Sequence, residues 1–304
     1  MLSSLLVQYT VSMRIVSLLP STTEIVFDLG LADQLRGVTI ECNWPAHAKT
    51  GREVVVDTFT NPSMSPGEID AIVKQRMADG LDLYELDDAA LSRCKPDLIL
   101  SQDLCRVCAV ASGDVEAAVE RLNCDALVLQ IDPQNLGEVI ESINTIAIAA
   151  GVADRGKELT ESLHHRLNVV RESVAGKSRP KVFVLEWIDP PFGAGHWVPD
   201  IITAAGGDPV VCRPGQRSVQ TSWADIADAQ PDVVLVAPCG FGLDDAAKQA
   251  LLVSNNLPDS VAVWAIDADA VMVRPGPRLV DGVEAIATML HGGHVNNELL
   301  RKIR

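Results

Sequence analysis

The sequence has few aromatic residues, a deficit of positive charge and no long hydrophobic run. Aromatic residues make up only 4% of the chain, so its core must be aliphatic and each of its five tryptophans is informative. The 25 Lys and Arg residues face 41 Asp and Glu residues, and the net charge of −16 argues against nucleic acids and anionic membranes as partners. No apolar run reaches the roughly 20 residues of a membrane-spanning helix.

Several motifs of catalysis and nucleotide binding are also absent from the sequence. Neither a G-x-x-x-x-G-K-[ST] loop nor a G-x-G-x-x-G turn after a strand is present, which argues against nucleotide phosphates as ligands. The G-x-S-x-G nucleophile elbow is missing as well. The sequence therefore predicts a protein that binds a ligand and is not an enzyme, with no catalytic residue.

The first residues and the cysteines bear on location. The opening MLSSLLVQYTVS has a short apolar patch with no basic residue before it, unlike a secretory signal. The seven cysteines are odd in number and are not spaced like a disulfide framework. Together these features predict a cytoplasmic location, with a periplasmic or cell-surface location as the alternative.

Short β-branched runs alternate with longer helical patterns, which is typical of parallel α/β folds. The 304 residues suffice for two lobes. Similar segments, KPDLILS and QPDVVLVA, occur at matching places in the two halves and indicate an internal structural repeat. We therefore predict two Rossmann-like lobes with parallel sheets, joined by a long connecting helix. The predicted boundaries are a first lobe at 13–133 with a helical insertion at about 57–95, a connector at 134–177, a second lobe at 178–292, and tails at 1–12 and 293–304.

In open α/β sheets, ligands bind beyond the carboxyl ends of the strands, so the loops that follow predicted strands are the candidate site. Three of the five tryptophans and four of the seven cysteines fall in these loops, a concentration that favours a binding cleft. The candidate ligand-binding residues are Pro20, Ser21, Thr22, Glu41, Cys42, Trp44, Gln102, Asp103, Trp187, His196, Trp197, Cys239, Phe241 and Arg274.

Each candidate also has a plainer structural interpretation. The tryptophans offer flat surfaces for a large ring, but core packing explains them equally well. Arg274 suits a carboxylate or phosphate, yet a surface ion pair is a simpler role. Cys105, Cys108 and His196 are candidate metal ligands for zinc or copper, since thiolate and imidazole suit both ions. Alternatively, the C-x-x-C pair is a redox-active dithiol, and His196 caps the helix that follows it.

Four sequence features resemble the cobalamin-binding branch of the ABC-transporter substrate-binding proteins, also called helical-backbone metal receptors. They are the opening RIVSLLPSTTEIVFDLG, the long central helix, the segment GHWVPDIITAAGG and the paired PDLIL and PDVVLV strands. The resemblance covers roughly residues 13–292.

The resemblance implies a class III substrate-binding fold and a non-catalytic receptor that holds a metal chelate between its lobes. It implies cobalamin or a related corrinoid as ligand, for uptake or intracellular handling, and an ABC permease as partner. By position, it assigns the cleft to the loops at 20–22, 41–44, 102–108, 187, 195–197, 239–241 and 274. The alternatives are direct thiolate or imidazole binding of zinc or copper in the cleft, and a thiol oxidoreductase that uses Cys105 and Cys108.

Overall fold

The first lobe is built on a six-stranded sheet. The computed structural model describes residues 13–59, 64–102, 112–122 and 124–304. Along the first lobe the elements are β1 (Ile15–Ser17), α1 (Pro20–Asp28), β2 (Leu35–Thr39), β3 (Glu53–Thr58), α2 (Pro66–Ala78), β4 (Tyr84–Leu86), α3 (Asp88–Cys94), β5 (Leu98–Ser101), α4 (Ser112–Arg121) and β6 (Leu127–Gln130). The strand order is β4-β3-β2-β1-β5-β6, and every pair is parallel except β3 with β4.

Two helices form the connector, and their buried residues pack on the cores of both lobes. They are α5 (Leu136–Ala149) and α6 (Ala153–Val174). On α6, Leu163 belongs to the core of the first lobe and Val170 to the core of the second. Arg166 also ties α6 to the second lobe, because its guanidinium lies 2.5 Å from Asp281 and 2.7 Å from Glu284. The connector is therefore packed against both lobes along its length.

The second lobe has a seven-stranded sheet with more antiparallel pairs. Its elements are β7 (Lys181–Ile188), β8 (Pro191–Gly193), α7 (Val198–Ala204), β9 (Asp208–Pro209), β10 (Val219–Gln220), α8 (Trp223–Asp228), β11 (Val233–Val236), α9 (Leu243–Val253), β12 (Ala262–Ile266), α10 (Ala268–Val271), α11 (Leu279–His291) and β13 (Leu300–Lys302). The order is β10-β8-β7-β11-β12-β13, with β9 parallel to β7. Strands β7, β11 and β12 are parallel, whereas β8 and β13 run antiparallel to their inner neighbours.

The repeated Pro-Asp segments play the same part in both lobes. The carboxylate of Asp97 accepts a hydrogen bond from the backbone N–H of Arg14, next to β1, at 2.7 Å. Asp232 does the same for the backbone N–H of Lys181, at the start of β7, also at 2.7 Å. In each lobe the aspartate thus satisfies a backbone donor that has no partner at the end of the neighbouring strand. The predicted two-lobed α/β fold is confirmed.

Two predicted segments differ from the structure. Residues 293–304, expected to be a tail, contain β13, which pairs with β12, and Leu300 is fully buried. This strand covers what would be an open edge of the sheet. The insertion at 57–95 is not purely helical, because β4 adds an antiparallel strand to β3. Among the described helices, none is both long and apolar enough to cross a membrane.

Candidate ligand-binding cleft

Loops at the carboxyl ends of strands in both lobes meet around Arg274. This side chain follows α10 in the second lobe and is only 9% exposed. Its Nη1 donates to Asn43 Oδ1 at 2.6 Å and lies 3.5 Å from Glu24 Oε1, both in the first lobe. Its Nη2 donates to the carbonyl oxygen of Glu41 at 3.2 Å and to Asp269 Oδ2 at 2.5 Å. Arg274 therefore joins the two lobes through side-chain and backbone acceptors.

Three further contacts complete this inter-lobe cluster. The amide of Asn43 donates to Asp269 Oδ2 at 3.0 Å, and Arg278 lies 3.7 Å from Glu24. The guanidinium of Arg278 also lies 4.2 Å from the centre of the Trp44 ring, which is a cation–π distance. Because each contact pairs one residue from each lobe, the cluster fixes the lobes relative to one another.

Glu24 is the most deeply buried carboxylate of the cluster. It is 2% exposed, and its Oε2 has no hydrogen-bond partner among the residues described. Burial raises the pKa of Glu24 to about 7, although Arg274 and Arg278 oppose the shift. Burial prevails because Arg274 is shared with Asp269, whose negative charge also disfavours ionisation of Glu24.

Cys239 marks the floor of the cleft. It follows β11 and is accessible to solvent, with its backbone N–H bonded to the carbonyl oxygen of Glu186 at 3.2 Å. Desolvation by the surrounding protein raises the pKa of its thiol, and the carboxylates of Glu186, Asp269 and Glu41 raise it further, against the effect of Arg274. Cys239 is therefore accessible to solvent and is also surrounded by groups of both lobes. This combination indicates a concave site with an excess of negative charge.

Aromatic side chains border this floor on both lobes. Trp187 and Phe241, in the second lobe, pack edge to face with ring centres 5.9 Å apart. The indole N–H of Trp187 donates to the carbonyl oxygen of Asp189 at 3.1 Å, which fixes the ring at the end of β7. Trp44, in the first lobe, is 47% exposed. These rings offer apolar surface to a flat ligand from opposite sides.

His196 is held in an unusual backbone conformation with a φ of 51°. Its N–H donates to the carbonyl oxygen of Gln216 at 2.6 Å, and its own carbonyl accepts from Gly215 at 3.1 Å. Burial and, secondarily, Arg217 lower its pKa, so the imidazole is neutral at pH 7. Nε2 is buried and finds no partner within the described ranges. A neutral imidazole with a free nitrogen has the chemistry of a metal ligand.

Other predicted ligand residues lie inside the lobes. Trp197 is 5% exposed and donates to the carbonyl oxygen of Met272 at 2.8 Å, within the core of the second lobe. Cys42 is 1% exposed, and its sulfur contacts the hydroxyls of Thr23 at 3.1 Å and Thr39 at 3.3 Å. In this conformation, both side chains pack in the cores instead of facing the cleft.

The start of α1 is likewise internal. Ser21 and Thr22 are buried, and the Thr22 hydroxyl pairs with that of Ser17 at 2.7 Å. Pro20 is half-buried at the first turn of α1. Gln102, at the end of β5, is buried and its amide nitrogen has no partner in the described part of the chain. The amide of Gln102 is therefore a buried polar group that could still accept a partner.

The cysteine pair of the predicted metal site, Cys105 and Cys108, lies outside the described residues, as does Asp103. Within the described ranges, no group of three His, Cys, Asp or Glu side chains is arranged to hold a metal ion. The thiol of Cys42 is buried against its hydroxyl partners in the first lobe, which leaves Cys239 as the accessible thiol of the described cleft.

A groove of about 430 Å³ lies beside the connector, away from the inter-lobe cluster. Its lining includes Asn135, Leu136, His164 and Asp200, and no predicted ligand residue lines it in the described chain. Asp200 is already engaged there, since it accepts a hydrogen bond from the backbone N–H of Leu136 at 3.1 Å. The accessible thiol and the aromatic rings favour the inter-lobe cleft as the functional site.

Two important residues of the cluster, Glu24 and Asp269, are missing from the sequence-based candidates. Asp269 follows β12, so the rule that selected the other loops also applies to it. Glu24 gives no such signal, because an acidic residue near the start of a helix is common. Its partner Arg274 is 250 positions away, and only the folded chain brings the two together.

Comparison with known proteins decides the family. The family model described as periplasmic binding protein matches residues 15–257. This chain belongs to the periplasmic binding protein family. Its members are non-catalytic solute-binding proteins of ABC transporters, which confirms the resemblance and the prediction that the chain is not an enzyme.

The relatives are distant but cover most of the chain. An uncharacterized ABC transporter substrate-binding lipoprotein, YvrC of Bacillus subtilis (strain 168), is 24% identical over 91% of this chain and 80% of its own length. A vitamin B12-binding protein of Vibrio cholerae is 22% identical over 91% of this chain and 88% of its own. A periplasmic heme-binding protein from Pseudomonas aeruginosa superposes with a TM-score of 0.69 at 18% identity, covering 95% and 97% of the two chains.

These relatives overturn the predicted cytoplasmic location. They are a lipoprotein and a periplasmic protein, in a family of periplasmic binding proteins, and they point to a location outside the cytoplasm. The prediction was wrong because it relied on a short opening segment and a cysteine count. Neither feature reports on the fold, which is what the relatives share.

Proposed function

We propose that this protein binds a cobalamin-like corrinoid in the cleft between its lobes and delivers it to an ABC permease. The observation that carries the proposal is the pair of aromatic borders, Trp44 on one lobe and Trp187 with Phe241 on the other, around a solvent-accessible floor. Apolar rings on both sides suit a broad, flat macrocycle. An ABC permease is the expected partner, because members of the periplasmic binding protein family are solute-binding proteins of ABC transporters.

Two other features support a metal-centred macrocycle. Burial lowers the pKa of His196, and its buried Nε2 has no hydrogen-bond partner among the described residues, so a local rearrangement that exposed this nitrogen would let it bind an axial metal position. The relatives include a vitamin B12-binding protein over nearly the whole chain.

Haem is the second candidate, because it is also a flat metal macrocycle and a structural relative is a heme-binding protein. The same aromatic borders and the same imidazole would suit it. The two ligands differ mainly at their edges, where the corrinoid carries amides and haem carries carboxylates.

The test is titration of the reduced, metal-free protein with dicyanocobinamide, cyanocobalamin and haemin, followed by visible spectra and calorimetry. We expect saturable corrinoid binding that Trp187→Leu weakens by about three- to tenfold, since an aromatic contact is worth about 0.5–1.5 kcal/mol. Trp223→Leu is the matched control, because Trp223 begins α8 and packs against a core cluster of the second lobe. It should leave the affinity unchanged.

Other outcomes would redirect the assignment. Binding of haemin without either corrinoid would establish the second candidate. No chelate binding, together with tight zinc uptake that Cys105→Ser abolishes, would favour a thiolate metal protein with the receptor fold. Equal weakening by Trp187→Leu and Trp223→Leu would mean that the aromatic border is structural.

A further inference from the structure

Arg274 is surrounded by acceptors that belong to the protein itself. Its two terminal nitrogens reach Asn43, Glu24, the carbonyl oxygen of Glu41 and Asp269, at distances from 2.5 to 3.5 Å. A guanidinium has two N–H groups on each terminal nitrogen, and here each nitrogen has two acceptors. The planar fork that would bind a ligand carboxylate is therefore already in use.

The charge of Arg274 is also compensated within the cluster. Glu24 and Asp269 both form ion pairs with it, and the side chain of Asp269 is 18% exposed. Arg278 is divided between Glu24 and the face of Trp44. Neither arginine of the cluster is thus available as an uncompensated cation near the cleft floor.

The floor itself carries an excess of carboxylates. The groups whose charges act on the accessible Cys239 thiol are Glu186, Asp269 and Glu41, opposed by Arg274. Arg217, which acts on His196, is exposed, and solvent screens its charge. A ligand seated on the floor therefore meets negative charge in a partly desolvated site.

From this arrangement we infer that Glu24 and Asp269 determine the charge class of the ligand. Because they occupy the hydrogen-bonding groups of Arg274, the cleft selects neutral or cationic metal chelates over chelates with free carboxylates. The inference rests on the proposed chelate-binding function. A ligand carboxylate would lose its hydration beside like charges and gain no guanidinium in return, which is a repulsive element against the wrong ligand. Amide groups incur no such repulsion.

The sharpest test uses two corrinoids that share the same ring and differ in the groups at its edge. Dicyanocobinamide carries amides at the edge of its ring, and dicyanocobyrinic acid carries carboxylates on the same ring. We expect the unmodified protein to bind the amide form at least tenfold more tightly. Asp269→Asn should release Arg274 and improve binding of the carboxylate form by about tenfold relative to binding of the amide form, which corresponds to one charge-assisted hydrogen bond.

Glu24→Gln is a second variant that also removes an ion-pair partner of Arg274. It should lower the ratio of the affinity for the amide form to the affinity for the carboxylate form, as Asp269→Asn does. Glu53→Gln is the matched control. It removes the same charge, but its partner is Arg93 and it begins β3, at the amino end of the sheet away from the cleft. Thermal unfolding verifies that each variant is folded before its affinities are compared.

The outcomes separate this inference from the proposed function. Equal affinity of the unmodified protein for the two corrinoids, or the same ratio in Asp269→Asn, Glu24→Gln and Glu53→Gln, would overturn the inference and leave corrinoid binding standing. Failure of the unmodified protein to bind either corrinoid would overturn the proposed function, and the inference with it. The inference is supported if the ratio of amide-form to carboxylate-form affinity falls in Asp269→Asn and Glu24→Gln but not in Glu53→Gln.

Discussion

The two lobes have sheets with similar interiors, and they differ at the edges that face one another. Asp97 and Asp232 cap the neighbouring strand in the same way, at the same 2.7 Å. At the cleft, in contrast, the second lobe supplies the arginines and the accessible thiol. The first lobe supplies mainly acceptors, of which Glu24 and Asn43 are the clearest. The repeat thus accounts for the fold, whereas the unequal loops provide the chemistry.

Removing Arg274, the main hydrogen-bond donor that the second lobe supplies, should have the largest effect on stability. Arg274→Ala would leave Glu24 and Asp269 as buried or half-buried carboxylates without their guanidinium. Loss of one partner from a buried ion pair costs roughly 3–5 kcal/mol. We expect a decrease of this size in the free energy of unfolding in urea, measured at pH 8 by far-UV circular dichroism.

Arg301→Ala is the control for that experiment. Its partner Asp244 is an exposed residue of the same lobe, and exposed pairs contribute about 0–1 kcal/mol. If the two variants lost similar stability, the inter-lobe cluster would have no special role in joining the lobes.

The contribution of Glu24, an acceptor of the first lobe, to the free energy of unfolding should depend on pH. Burial holds the pKa of Glu24 at about 7, above the 4.5 of an exposed glutamate, so the folded protein keeps a proton that the unfolded chain releases in this interval. This contribution to stability is complete below pH 4.5 and is lost as the pH rises through 7. It amounts to at most about 3 kcal/mol.

Glu24→Gln isolates the effect, because its neutral amide does not titrate while Arg274, Arg278 and Asp269 remain around it. We expect the difference between the unfolding free energies of the unmodified protein and Glu24→Gln to change between pH 4.5 and 8. A difference that stays constant over this range would show that Glu24 titrates normally in the folded state.

Local patterns in the sequence predict the sheets well, and the exceptions have physical causes. The similar segments KPDLILS and QPDVVLVA correctly placed β5 and β11 at matching positions in the two lobes. β13 was missed because its three residues, LRK, form a strand only by pairing with β12. A short edge strand owes its conformation to its neighbour and not to its own sequence.

The candidate site was predicted less completely, since its residues meet only in the folded chain. A rule based on strand ends selects a loop but does not say which side chains turn inward. Cys42 and Trp197 therefore appeared among the candidates although both pack in the cores. Arg274 was selected for a possible ligand role, and its partner Glu24, 250 positions earlier, was not. The ligand-binding roles of the remaining candidates stay predictions.

The similarity between the lobes can be tested by removing both aspartate caps. Asp97→Ala and Asp232→Ala each leave a backbone N–H without its acceptor, which costs about 1–2 kcal/mol of unfolding free energy. Asp97 also binds the guanidinium of Arg14, so its loss should be greater by up to about 1 kcal/mol. Asp259→Ala, a change at a fully exposed surface position, should have almost no effect in the same urea titrations. If only one of the two aspartate substitutions lowered the free energy of unfolding, the two Pro-Asp segments would not have equivalent roles in the two lobes.

The smallest effect that we expect concerns the stacking of Arg278 on Trp44. The 4.2 Å separation joins a cation of the second lobe to an indole of the first, and half of the Trp44 surface remains exposed. A cation–π contact at such a site is worth about 0.5–1 kcal/mol. A double-mutant cycle with Trp44→Leu and Arg278→Gln should return a coupling of this size in the free energy of unfolding. Because Arg278 also approaches Glu24, the cycle should be repeated in Glu24→Gln. A coupling that survives there belongs to the stacked pair and links the lobes independently of Arg274, whereas one that vanishes reflects the shared carboxylate alone.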